Sequence, residues 1–163
     1  MPALPRALKT LVAAVALLAG LSGCAAGVVD VDPADDAANA RCADVMLALP
    51  PLVAENEQRD TNSQATSAWG DPSKVVLRCG VVVPGPTTDP CVTVNDVDWV
   101  IREGDPAWTA TTYGREPAVE VLFDPEVVAS STVLVELGDA VSRVEQIRAC
   151  VGLSEATPAP TEG

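Results

Sequence analysis

The sequence predicts an α+β domain: one antiparallel sheet of about four strands with two helices packed on a single face, in the order α-β-β-β-β-α. Three observations carry that prediction. Cys42, Val45, Met46 and Leu49 recur at the i, i+3, i+4, i+7 spacing of one helix face. From Val75 to Phe123, short apolar runs alternate with turns rich in Gly, Pro and Asp. Leu134, Leu137, Val141, Val144 and Ile147 then restore a helical period.

The first helix has a start signal at Asp32-Pro33, and Asp35 and Asp36 suit the positive end of its dipole. Its apolar stripe occupies residues 40–49, and Pro50-Pro51 ends it. Residues 54–68 are polar and read as loop. Residues 75–83 form the first strand, with Val75, Leu77, Cys79, Val81 and Val83 on one face. Val76, Arg78, Gly80 and Val82 take the other face. Residues 91–94 and 98–103 read as a second strand broken in the middle, 107–113 as a third and 118–123 as a fourth. The last helix runs to Cys150, weakened by ~1 kcal/mol at Gly138.

Ahead of this domain stands an address. Arg6 and Lys9 precede an apolar run from Leu11 to Leu21, too short to span ~30 Å of hydrocarbon. Leu21-Ser22-Gly23-Cys24 follows. Small Ser22 and Gly23 admit a peptidase, and Cys24 becomes the first mature residue with a diacylglyceryl group on its thiol. The expected divisions are a lipoprotein signal peptide at 1–23, a tether at 24–40, one α+β domain at 41–152 and a disordered tail at 153–163. The expected location is the extracytoplasmic face of the cell membrane, lipid-anchored.

Charge narrows the partners. The chain has 23 Asp and Glu against 10 Lys and Arg, a net charge of −13. Nucleic acid is excluded as a partner, because affinity for it comes from cations that neutralise phosphates. An anionic membrane surface would repel the chain too, so membrane attachment rests on the two acyl chains at Cys24. Prolines are many and lysines few, a usage like that of high-GC actinobacteria.

Cys42, Cys79, Cys91 and Cys150 remain once Cys24 is lipidated, and four cysteines in an exported chain imply two disulfides. Cys79 sits on the strand face that the helices should cover, and Cys42 on the core stripe of the first helix. Cys42–Cys79 with Cys91–Cys150 is therefore slightly favoured over Cys79–Cys91 with Cys42–Cys150.

Chemistry is sparse. The chain has no histidine, which removes Ser-His-Asp and Cys-His schemes. Lys74 directly follows Ser73, so the two diverge on a strand and form no Ser-x-x-Lys dyad. Asp96, Asp98, Glu103 and Asp105 lack calcium-loop spacing and read as a solvated acidic edge. No cofactor and no metal are expected. One candidate binding face remains: Trp69, Arg78, Trp99 and Arg115 on the open side of the sheet would make a stacking and anion-binding groove. The alternative is that the tryptophans are core packing and the arginines pair with local carboxylates.

Several segments resemble an uncharacterised family of actinobacterial lipoproteins and secreted proteins, a domain of unknown function. They are Cys42, Leu49-Pro50, Ala68-Trp69-Gly70-Asp71-Pro72, Leu77-Arg78-Cys79-Gly80-Val81, Val97-Asp98-Trp99, Thr111-Thr112, Arg115 and Val119-Glu120-Val121. The similarity covers about residues 41–123 and departs from the family pattern at Gln58-Arg59-Asp60, where paired arginines are expected. The resemblance implies no activity. Members are often encoded near a D-alanine ligase, which hints at cell-wall work.

The expected function is a non-catalytic, membrane-tethered envelope module that binds a protein or a cell-wall component. A small-ligand or wall-fragment binder using the Trp/Arg face is the alternative. A carboxylate-dependent wall hydrolase would need two acids ~5–10 Å apart in a cleft.

Overall fold

The computed structural model describes residues 27–150. Residues 1–26, which hold the expected signal and Cys24, and residues 151–163, which hold the expected tail, lie outside them. The described chain folds as α1 (Ala40–Leu47), β1 (Leu52–Val53), β2 (Asn56–Arg59), β3 (Thr66–Trp69) and β4 (Val75–Val81). It continues as β5 (Cys91–Val94), β6 (Val97–Arg102), β7 (Trp108–Thr112), β8 (Ala118–Phe123) and α2 (Ser130–Val141).

The two strongest apolar alternations become neighbours. β4 and β8 pair antiparallel from Val75↔Phe123 to Val81↔Ala118, and this seam joins two four-stranded meanders into one sheet. The order is β1-β2-β3-β4-β8-β7-β6-β5. The α+β class is right; the four-strand sheet is not. Eight strands are present, and the physical reasons are local. β2 is Asn-Glu-Gln-Arg with no buried position, so it carries no apolar alternation. β3 is buried at all four positions but built from Thr, Ser and Ala before its Trp. The expected break within the second strand is a tight hairpin instead: Asn95 and Asp96 both have positive φ, the geometry of a two-residue turn between β5 and β6.

One face of the sheet is apolar and both helices lie on it. Trp69, Val75, Leu77, Cys79, Trp99, Ala110, Val119, Val121 and Phe123 form the core with Val45 of α1 and Val133, Leu134, Leu137 and Val141 of α2. Fully burying each Val, Leu or Phe among them contributes ~1.5–3 kcal/mol. Asn39 caps α1, its side-chain oxygen accepting from the Arg41 N–H. The Cys42–Cys79 disulfide, with Cα atoms 5.7 Å apart, fastens α1 to β4. Gly80 follows at a bulge between Cys79 and Val81, with φ +93°. A side chain there would collide with the Asp36 carbonyl.

Two segments expected to behave otherwise are bound to the sheet. Residues 27–39, most of the expected tether, are held by a Val29↔Thr61 bridge, by Val31 N–H donating to Asn62 and by Asp36 N–H donating to the Gly80 carbonyl. The last helix ends at Val141 rather than near Cys150, and Ile147 is 61% exposed, not core. Residues 142–150 instead form a strap, closed by the Cys91–Cys150 disulfide.

Candidate functional site

The face away from the helices carries a row of side chains fixed by strand register. Thr66 pairs with Arg78, Arg78 with Glu120, Glu120 with Thr111, Thr111 with Val100 and Val100 with Cys91. Six strands thus place one residue each on a line across the sheet. At its centre Arg78 donates to a single oxygen of Glu120, from Nε at 3.1 Å and from Nη2 at 2.5 Å. Their side chains are 30% and 17% exposed, so the pair is partly desolvated but reachable.

A loop turns this flat face into a groove. To pass from β4 to β5, residues 82–90 must cross β8, β7 and β6. They do so on the open face, where Asp89 accepts from Nε of Arg102 at 2.8 Å. Between this loop and residues 33–35 lies a groove of about 440 Å³. Its floor is Arg78, Glu120 and Thr111, and Val81–Pro84 form one wall. Small-ligand sites occupy ~300–1,000 Å³, a range shared here by two other hollows of about 450 and 320 Å³, and the ion pair on its floor is what distinguishes this groove.

The structure does not assemble the expected tryptophan-arginine face. Trp69 and Trp99 are fully buried on the opposite, helix-covered side. Trp69 donates from Nε1 to the Pro50 carbonyl at 3.1 Å. Register decides it: Trp69 opposes Val75, and Trp99 opposes Thr112, both inward positions. Arg115 is 5% exposed and serves the strap. It donates to the carbonyls of Val144 and Asp96 and to Oε1 of Gln146. Burial lowers its affinity for a proton relative to a solvated arginine, and the Asp98 charge opposes that shift. Of the four expected residues, only Arg78 lines the groove.

Asp98 is a structural carboxylate rather than part of a solvated edge. It is 4% exposed and accepts from Thr93 Oγ1 at 2.5 Å, Gln146 Nε2 at 2.8 Å and the Cys150 N–H at 2.7 Å. Asp98, Arg115 and Gln146 together bind the strap to the sheet. Among the described residues no group of three or more His, Cys, Asp or Glu is placed to hold a metal ion.

The groove residues missed from sequence are Asp35, Arg102, Thr111 and Glu120. Glu120 had a signal: it alternates with Val119 and Val121 on a strand, as Arg78 does with Leu77 and Cys79.

A family model described as protein of unknown function (DUF3515) matches residues 3–150. The chain belongs to that family. No curated protein and no solved structure matches it. The DUF3515 match takes in Cys24 and the four disulfide cysteines. Within this chain, Arg78-Cys79-Gly80 has three structural duties: an ion pair to Glu120, a disulfide to α1 and a close approach to Asp36.

Proposed function

We propose that the protein is a non-catalytic interaction module, anchored to the extracytoplasmic face of the cell membrane by lipid on Cys24. Its partner is an envelope protein or a cell-wall component, and its family is one of actinobacterial envelope proteins. The observation that carries this reading is Leu21-Ser22-Gly23-Cys24 behind two cations and a short apolar run. Two disulfides suit an oxidising, exported location. No described helix is long and apolar enough to cross a membrane, so a lipid would supply the attachment. The lack of histidine supports a binding role over catalysis. The groove over Arg78 and Glu120 is the candidate recognition surface.

Detergent-phase partitioning of cell extracts tests the anchor. Wild-type protein is expected in the detergent phase and Cys24→Ala in the aqueous phase or medium, or unprocessed at higher mass. Equal partitioning of mature wild type and mutant would overturn the reading. Crosslinking in intact cells with mass spectrometry would then identify the partner.

A further inference from the structure

We infer that the groove over Arg78 and Glu120 binds a short extended peptide with a free amino end and a free carboxyl end. The inference rests on reading this groove as the module's recognition surface, and it names the ligand class.

Among the described residues, the groove presents an unpaired carboxylate at one end and free guanidinium N–H groups at the other. Near the end of β4 it carries Asp35, an exposed carboxylate with no ion pair or side-chain hydrogen bond among the described residues. At the β6 side stands Arg102, its side chain 54% exposed, which gives Asp89 only its Nε and leaves both terminal amino groups unpaired. Between them Arg78 and Glu120 neutralise each other, yet one oxygen of Glu120 and Nη1 of Arg78 have no partner. An amine suits the Asp35 end and a carboxylate suits the free Nη groups of Arg102, so a zwitterion finds a partner at each end.

Shape selects a peptide among zwitterions. β4 leaves its last partner at Val81↔Ala118, and the chain continues along the groove wall through Val82 and Val83. The backbone N–H and C=O groups of those two residues have no backbone partner among the described residues. An extended peptide laid beside them would complete the ladder, as in strand addition to an unpaired edge. β4 to β6 is three strand spacings, or about 14 Å, which about four extended residues span. The amine would then lie by Asp35 and Glu120, and the carboxylate by Arg102.

The probe is tetraalanine with free ends, compared with its N-acetyl and its C-amide forms, titrated calorimetrically and by amide chemical shift into the full-length protein. Free tetraalanine should shift Asp35, Arg78, Val82, Val83, Arg102 and Glu120. Either cap should weaken binding about tenfold, or 1.4 kcal/mol. Asp35 is exposed and unpaired among the described residues, so its substitution leaves folding intact; Arg102 also holds Asp89 of the crossing loop, so Arg102→Gln is read beside Asp89→Asn, which breaks that pair but keeps the guanidinium. Arg102→Gln should abolish the difference between free and amidated peptide while keeping the effect of acetylation, and Asp35→Asn should do the converse. Absence of groove shifts at millimolar peptide, or equal binding of free and capped forms, would overturn the inference. Either failure leaves membrane partitioning through Cys24 unaffected, so the two readings fail separately.

Discussion

Glu136 on α2 accepts the backbone N–H of Ala54 at 2.7 Å, tying the last helix to the tip of the first hairpin. That tip needs the help. Ala54 and Glu55 both have positive φ without being glycine, a conformation that costs about 1 kcal/mol or more per residue. Glu136→Ala should therefore lower stability by about 1 kcal/mol, read as a fall in the denaturant midpoint. Ala54→Gly should raise it by up to about 1 kcal/mol, because glycine adopts this backbone freely.

The Arg78–Glu120 pair should be coupled. Glu120 is 17% exposed, so Arg78→Ala leaves a mostly desolvated carboxylate and should cost about 1–2 kcal/mol. Adding Glu120→Ala should recover part of that loss. A double-mutant cycle giving no coupling would show that the pair is solvated in solution.

The tryptophans offer a direct check of burial. Trp69 and Trp99 are sealed in the core, and Trp108 is half-buried. Acrylamide should quench emission only in part, and a Trp108→Phe variant should be nearly unquenched. Trp99→Ala should cost about 3–5 kcal/mol through the cavity it leaves. Strong quenching of Trp108→Phe would contradict the placement of both.

Reduction should proceed in two stages. Cys42 and Cys79 are buried in the core, whereas Cys91 lies exposed at the sheet edge. Mild reductant should open Cys91–Cys150 first, seen by alkylation and peptide mapping, with hydrogen exchange rising across residues 142–150. Each bridge should contribute ~2–4 kcal/mol. First alkylation at Cys42 and Cys79 would contradict this order.

What was legible in the sequence was apolar periodicity, and what was hidden lacked it. Cys42 and Cys79 fall on matching apolar stripes, so the sequence alone slightly favours their pairing. β1 escapes detection because its two residues, Leu52 and Val53, are too few to show a period, and β2 and β3 because their residues ahead of Trp69 are polar or small; pairing rather than side-chain pattern makes them strands. Trp99 is different, because its face was readable. Val97, Trp99 and Ile101 alternate with Asp98 and Arg102, which assigns the tryptophan to the apolar side. Arg115 sits in a turn where no period applies, so its burial follows only from the strap that folds over it. The groove depends on a loop crossing three strands, a long-range relation that no local pattern encodes.

The ordered path of residues 27–39 sets how far the domain can stand from a membrane. Gly27 is already fixed, its carbonyl accepting from Arg59 Nη2 at 2.6 Å. Only three peptide links separate Gly27 from Cys24, a reach of at most about 11 Å. With a lipid on Cys24, the domain would have almost no leash. Its β2–β3 flank would ride on the headgroups, and Asp30 and Asp32 would lie within about one Debye length of their charge. Ionic strength and lipid composition would then govern its tilt, and with it the direction in which the groove faces.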